Sequence, residues 1–356
     1  MNQHRKIAVP RYGEYNCGMK YVIEQGFEST CILPPPLTRH TEALGAKNSP
    51  DFVCIPFKTT LGSMMEALEA GADTLIMVYG ICRLSYYAEL QEQILRDLGY
   101  EFDFVNLALY NTGKKRDVLK AVKAINPHAN MAKVTKAFAE AIRMTEHLDE
   151  ITSQYYENCG FDSSGAYKRI YRRFLTSMYM AQNLTEIEEG YRSAKLSFSE
   201  VELNKPLQHL RVGIIGDFYT ALDPFSNLEV EQKLADMGVE VQRWTNLTNR
   251  MLRYSGDKNH YVSIKDRCEY SMGANSISDL WSAHKYASEG FDGILHLKSA
   301  NCTPEIDIMP VLQNISADYK VPVLYLTYDS QTSDVGLMTR LEAFYDMMEM
   351  RKRAAG

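Results

Sequence analysis

Five times along this chain a helix-type run stops at a glycine and a β-rich run follows: Gln25-Gly26-Phe27, Ala70-Gly71-Ala72, Leu98-Gly99-Tyr100, Met237-Gly238-Val239 and Glu289-Gly290-Phe291. Glycine just past a helix takes the left-handed conformation without a steric cost, so it ends the helix and lets the chain turn into a strand. Helix and strand alternating in this way is the pattern of a parallel sheet wrapped by helices. The apolar runs predict strands near 7–10, 28–33, 74–79 and 102–107, then 211–215, 240–244, 293–297 and 322–327.

Between these halves the pattern changes. Val134, Phe138, Ala141, Leu148, Ile151 and Tyr155 recur at three- and four-residue steps, the mark of one apolar face on a long helix. Residues 166–180 and 185–196 continue in this style, and Thr185 with Glu188 three residues on has capping-box spacing. Lys205-Pro206 then marks the way out, because the residue before a proline is kept from helical geometry. The expected class is α/β: parallel-sheet lobes over 1–115 and 207–356, with a helical insert or bridge over 116–206. A chain of 356 residues is long enough for two such cores. No short tandem repeat is visible, and the two lobes do not align with each other.

Charge narrows the function. The net charge is -6, and the basic runs Lys114-Lys115-Arg116 and Arg351-Lys352-Arg353 carry no interleaved aromatics, so they read as solvated helix ends and not as a nucleic-acid surface. No apolar run reaches the roughly 18 residues of a bilayer span, and Met1-Asn2-Gln3-His4-Arg5-Lys6 leads into the strand-like Ile7-Ala8-Val9 without a signal-peptide pattern. The expectation is a cytoplasmic protein with no membrane partner. Seven cysteines in a reducing compartment leave metal binding, redox chemistry or plain burial.

Three of the seven fall at expected helix starts, the last two directly after strand-like runs: Cys54 in Val53-Cys54-Ile55-Pro56-Phe57-Lys58, Cys82 in Gly80-Ile81-Cys82-Arg83, and Cys302 in Asn301-Cys302-Thr303-Pro304-Glu305. In open parallel sheets ligands bind beyond the carboxyl ends of the strands. A helix start also favours a thiolate, and Pro304 suits a first helical turn. Three thiolates converging on one crevice point to an iron–sulfur cluster. They are one short of the usual four ligands for a [4Fe–4S] cluster, which leaves one iron open to act as a Lewis acid. The competing reading is that all three are small buried hydrophobes.

Cys17, at the start of the first helix, is a further candidate for that crevice. Cys31 falls inside a strand pattern, and neither Cys159 nor Cys268 has a neighbour that argues for a role. Lys58, Arg83, Tyr86, Tyr87, His296 and Lys298 stand near the three cysteines in sequence, either as cations facing an anionic ligand or as solvated and paired side chains. Gly213-Ile214-Ile215-Gly216-Asp217 lacks the third glycine of a dinucleotide turn, and no phosphate-cradling G-x-x-x-x-G-K-[ST] is present.

The stretch 48–58, with Leu61-Gly62, Gly71-Ala72-Asp73 and Cys82-Arg83, resembles the cluster-binding component of 2-hydroxyacyl-CoA dehydratases and their relatives: benzoyl-CoA reductase subunits, double-cubane cluster proteins and proteins labelled CoA-substrate-specific enzyme activases. The second half resembles them through Gly216-Asp217-Phe218-Tyr219, Pro224-Phe225-Ser226-Asn227, Phe291-Asp292-Gly293, Cys302-Thr303-Pro304-Glu305 and Thr339-Arg340-Leu341-Glu342-Ala343-Phe344. Two departures stand out. Asp217 occupies a place where close relatives carry glutamate, and Gly273-Ala274-Asn275 one where glycine-glycine-histidine is usual.

The resemblance implies two flavodoxin-like (Rossmann-like) lobes holding a [4Fe–4S] cluster on Cys54, Cys82 and Cys302; a double-cubane cluster would need more ligands. It implies an electron received from a separate ATP-dependent activase and an acyl-CoA thioester as the species acted on. Arg83 and Lys298 would stabilise negative charge on the thioester oxygen. A second cluster-bearing subunit or a homodimer would complete the system. The rival readings are a non-catalytic iron–sulfur electron carrier and a metal-free α/β binding module.

Overall fold

The computed structural model describes residues 5–78, 82, 86–107, 115–253 and 258–355. Among these residues, eight strands form where the apolar runs predict them: β1 Lys6–Ala8, β2 Thr30–Cys31, β3 Thr74–Met77, β4 Asp103–Asn106, β5 Leu210–Gly216, β6 Val239–Arg243, β7 Gly293–Ser299 and β8 Val323–Tyr328. They make two four-stranded sheets in the orders β2-β1-β3-β4 and β6-β5-β7-β8, with every pairing parallel. The expected class is therefore present: α/β, with two flavodoxin-like parallel sheets. In each sheet the strand order reverses between the first strand and the third, and that reversal is where ligands enter folds of this kind.

By compactness the chain divides into Met1–Thr145 with Leu175–Gly190, and Glu146–Phe174 with Tyr191–Gly356. From residue 115 to residue 199 the described chain runs through the α-helices Lys115–Ile125, Met131–Asn158, Ala166–Met180 and Leu184–Ser199. The long apolar face of Met131–Asn158 differs in one respect from its sequence pattern: Phe138 is exposed, and Ala137 and Met144 are buried beside Val134, Ala141, Leu148, Ile151 and Tyr155. The helix expected to open at Thr185 is capped two residues earlier. Asn183 Oδ1 accepts from the Glu186 amide at 3.1 Å, and Glu188 is left to pair with Arg143 at 2.9 Å.

In the second unit the alternation of β5 feeds two cores. Val212 and Ile214 pack with Leu234, Leu341 and Phe344 on one side of the sheet, and Ile215 packs with Leu280, Ala283 and Leu312 on the other. Gly213 leaves room for the buried Tyr286 ring, which a Cβ there would meet at 2.3 Å.

In the first unit the helix Ile55–Glu69, which starts at Cys54, crosses Arg39–Lys47 at very short range. A Cβ on Gly62 would lie 2.0 Å from the Thr41 carbonyl oxygen, and one on Gly45 would lie 1.7 Å from that of Lys58. Backbone atoms cannot yield as a side-chain end can. Gly62→Ala is thus expected to lower stability by about 1–3 kcal/mol or more, read as a drop in urea midpoint at unchanged slope.

Candidate functional site

In the second unit, β5 and β7 end side by side at the order reversal, and Asp217 spans the gap. Its Oδ1 accepts from the Thr220 amide at 2.9 Å, capping the helix Phe218–Leu222. Its Oδ2 accepts from the amide and the hydroxyl of Ser299, at 2.6 and 2.9 Å. The short aspartate arm thus ties the end of β5 to the turn after β7. The turn that follows is a local cap: Asp223 accepts from the Ser226 amide at 2.7 Å, and Asn227 donates to the Thr220 carbonyl at 3.0 Å. Part of the sequence resemblance in 216–227 therefore falls on residues that shape this loop.

Beyond that turn Cys302 is the N-cap of the helix Thr303–Asp307, in extended backbone (φ −81°, ψ 95°), with Pro304 in the first turn. In the first unit Cys54 holds the same position on Ile55–Glu69 (φ −66°, ψ 159°), with Pro56 in its first turn. That helix leads back to the start of β3, so it begins on the carboxyl side of its sheet, as a parallel crossover requires. The buried Gln91 secures it by donating to the Phe57 carbonyl at 3.1 Å and to Thr60 Oγ1 at 2.8 Å.

Cys82 is exposed, in the segment after β3, and the next helix to begin among the described residues is Ala88–Asp97. Residues 79–81 and 83–85, where a helix start at Cys82 would fall, lie outside the described residues. Tyr12, in the segment after β1, donates to Met77 Sδ at 3.0 Å, and burial with the nearby Cys82 thiolate raises its pKa above the ordinary tyrosine value. Arg83 lies outside the described residues.

The remaining thiols differ in kind. Cys17 is buried in the helix Asn16–Tyr21. Burial pushes the Cys31 and Cys159 thiols up to about 12, which keeps both protonated. Cys268 donates to the Tyr270 carbonyl at 3.0 Å. Among the described residues, no three His, Cys, Asp or Glu side chains are gathered in a way that could hold a metal ion.

Of the cationic neighbours expected from sequence, Lys298 stands out. It is buried at the carboxyl end of β7, four residues before Cys302, and its ammonium makes no hydrogen bond or ion pair among the described residues. His296 is a correction. It is wholly buried, and burial, with the Lys298 charge, pushes its pKa down to about 3, so it is a neutral imidazole and not a cation. Tyr86 is exposed, Tyr87 meets the edge of Phe57 at 5.2 Å, and Lys58 donates to the Asp51 carbonyl at 3.3 Å.

Sequence reasoning gave no role to Asp279 and did not pair it with Glu305, yet the two form the polar centre of this end of the sheet. Both are fully buried. Asp279 Oδ1 accepts from Asn275 Nδ2 at 2.9 Å and from the Gly216 amide at 3.3 Å. Glu305 Oε2 lies 2.8 Å from His296 Nε2. Asp279 Oδ2 and Glu305 Oε1 have no donor while both carboxyls are ionised, and a proton on one of them lets the pair hydrogen-bond. Desolvation and mutual repulsion raise Asp279 well above the carboxylate range; desolvation and the Asp217 charge raise Glu305 to about 8. Asn275 serves this pair through its amide. The signal in the sequence was its spacing of four residues from Asp279 on the helix Ser276–Ser288.

Among the described residues, no helix is long and apolar enough to cross a membrane. Comparison with known proteins gives no matching family model and no matching curated protein.

Proposed function

We propose that this chain is a cytoplasmic iron–sulfur protein of the 2-hydroxyacyl-CoA dehydratase type. It carries a [4Fe–4S] cluster on Cys54, Cys82 and Cys302, takes a low-potential electron from an ATP-dependent activase, and acts on an acyl-CoA thioester, as a homodimer or with a second cluster-bearing subunit. The observation that carries the reading is the matched placement of Cys54 and Cys302, each an extended N-cap with proline in the first helical turn. Helix starts polarise a thiol toward the thiolate that iron takes, so the donor chemistry fits the group. A cluster with one iron not bound by cysteine supplies a Lewis acid and a one-electron store.

The chain's own residues then have distinct tasks. Asp217 and the Asp279–Glu305 pair hold the ends of β5 and β7 and the helix that begins at Cys302. Neutral His296 adds no charge to this end of the sheet. Lys298 is the buried cation available to an anionic partner, and an ammonium fixed in a dry site stabilises developing negative charge far better than one in water.

Anaerobically purified protein should contain iron and acid-labile sulfide, and with the activase, ATP and a 2-hydroxyacyl-CoA it should form the enoyl-CoA. Absence of iron and sulfide would leave a metal-free binding module. A cluster without turnover would leave an electron carrier.

Lys298→Met is expected to keep the fold, because it exchanges a buried side chain for one of similar volume, and to lower kcat/KM by about 100- to 1000-fold. Thermal melting checks the first part and steady-state kinetics the second. Unchanged kinetics would remove Lys298 from the reaction.

A further inference from the structure

In the second unit the sheet ends at β8, and the register of that strand fixes which of its peptide groups point away from the sheet. The Ile294 amide donates to the Pro322 carbonyl at 3.0 Å, and the Ala300 amide donates to that of Tyr328 at 2.9 Å. Residues 322, 324, 326 and 328 therefore turn their peptide groups toward β7, and Val323, Tyr325 and Thr327 turn theirs outward. Among the described residues, none of these three amides donates a hydrogen bond, and neither the Val323 nor the Thr327 carbonyl accepts one. The Tyr325 carbonyl accepts from Arg340, which leaves its second lone pair.

Val323-Leu324-Tyr325-Leu326-Thr327-Tyr328 has high strand propensity and contains neither a charge nor a proline. That is the composition that pairs with another strand when its edge is bare. The other three edge strands differ: β2 is two residues long, β4 opens on the exposed Asp103, and β6 carries Glu240 and Arg243.

Charge selects the partner. Arg351 donates to the Lys320 carbonyl, so two exposed cations flank the start of β8, and the exposed Asp329 stands just past its end. A second copy of the strand laid parallel would set like charges together at both ends. Laid antiparallel, it sets Asp329 of each copy against Lys320 and Arg351 of the other. We propose that β8 is the interface between two copies of this chain, paired antiparallel across a two-fold axis so that two four-stranded sheets become one continuous sheet. Such an interface is self-complementary, since the outward amides of one copy meet the outward carbonyls of its mate. The pairing needs no cluster, so it can fail while the function proposed above holds, and the reverse.

The test is sedimentation equilibrium of the whole protein, with thermal melting to check that each variant is folded. A dimer is expected. Thr327→Pro removes an outward amide and leaves the ladder to β7 intact, because proline is tolerated on an edge strand where its nitrogen faces outward. It should weaken association by about tenfold or more, since each copy loses a bond. Asp329→Lys and Arg351→Glu should each weaken it by a similar factor, and the double variant should associate more tightly than either single one. A monomeric parent protein, a dimer that Thr327→Pro leaves equally tight, or a double variant no tighter than the single ones would each overturn the proposal.

Discussion

Serine at position 302 is expected to strip most of the iron from anaerobically purified protein, and Cys54→Ser and Cys82→Ser should do the same. A serine hydroxyl is a far weaker ligand for iron than a thiolate. At positions 54 and 302 it would sit at the same polarised helix start, so the loss would report ligation and not a change of backbone. Serine is also a favoured N-cap, so neither helix is weakened by the exchange. Cys31→Ser and Cys159→Ser should keep their iron, since burial holds both thiols protonated. Iron and sulfide analysis of the five variants checks the set. Full iron in any of the first three would take that residue out of it.

The second large effect belongs to the buried carboxyl pair. Glu305→Ala leaves Asp279 without its hydrogen-bonding partner in a dry site and should cost about 1–3 kcal/mol, the usual penalty for a buried polar group left unsatisfied. Glu305→Gln keeps the shape and supplies a permanent donor, so it should cost no more than about 1 kcal/mol.

The same pair sets a pH dependence. Folded Glu305 keeps its proton up to about pH 8, while the unfolded chain releases it near the ordinary value of 4.5. The folded state therefore binds the extra proton in that window, and stability falls as pH rises through it. His296 acts at the other end. Its folded form takes a proton only near pH 3, against 6.5 when unfolded, so stability is lost as pH falls from about 6.5 to about 3. The two slopes oppose each other between about pH 4.5 and 6.5, and Asp279, also raised, adds to the fall with rising pH, so these groups predict a gentler decline in urea midpoint there than above about pH 6.5. In Glu305→Gln the alkaline decline should shrink, and an unchanged decline would show that other groups cause it.

The sheets were legible because buried parallel strands are short apolar runs between glycine stops. Gly71, Gly99, Gly238 and Gly290 all have positive φ, as that reading requires. Gly26 does not. It closes the π-helical turn Val22–Gly26, and a Cβ there would lie 3.1 Å from Ala137 Cβ, so its role is close packing. Thr185 misled for a similar reason: a capping-box spacing recurs by chance, and Asn183 makes the actual cap.

At the site, Cys54 and Cys302 could be placed from a cysteine followed two residues later by proline, which marks a helix start locally. The Asp279–Glu305–His296 cluster could not. Its members come from three successive elements, a helix, a strand and a short second helix, with no spacing pattern that joins them, and their behaviour follows from burial, which only the folded chain creates. His296 and Lys298 look equally cationic in the sequence. Two residues apart on β7, one is a neutral imidazole against Glu305 and the other a buried ammonium.

The most direct test of the cluster assignment is the electron paramagnetic resonance spectrum of the anaerobically reduced protein, recorded with and without a 2-hydroxyacyl-CoA. The account predicts the signal of a one-electron-reduced [4Fe–4S] cluster, perturbed by the thioester because one iron lacks a cysteine, and both features retained in Cys17→Ser. A spectrum with no cluster signal would contradict the assignment outright. A signal indifferent to every acyl-CoA and abolished by Cys17→Ser would make the site four-cysteine and closed, and the protein an electron carrier.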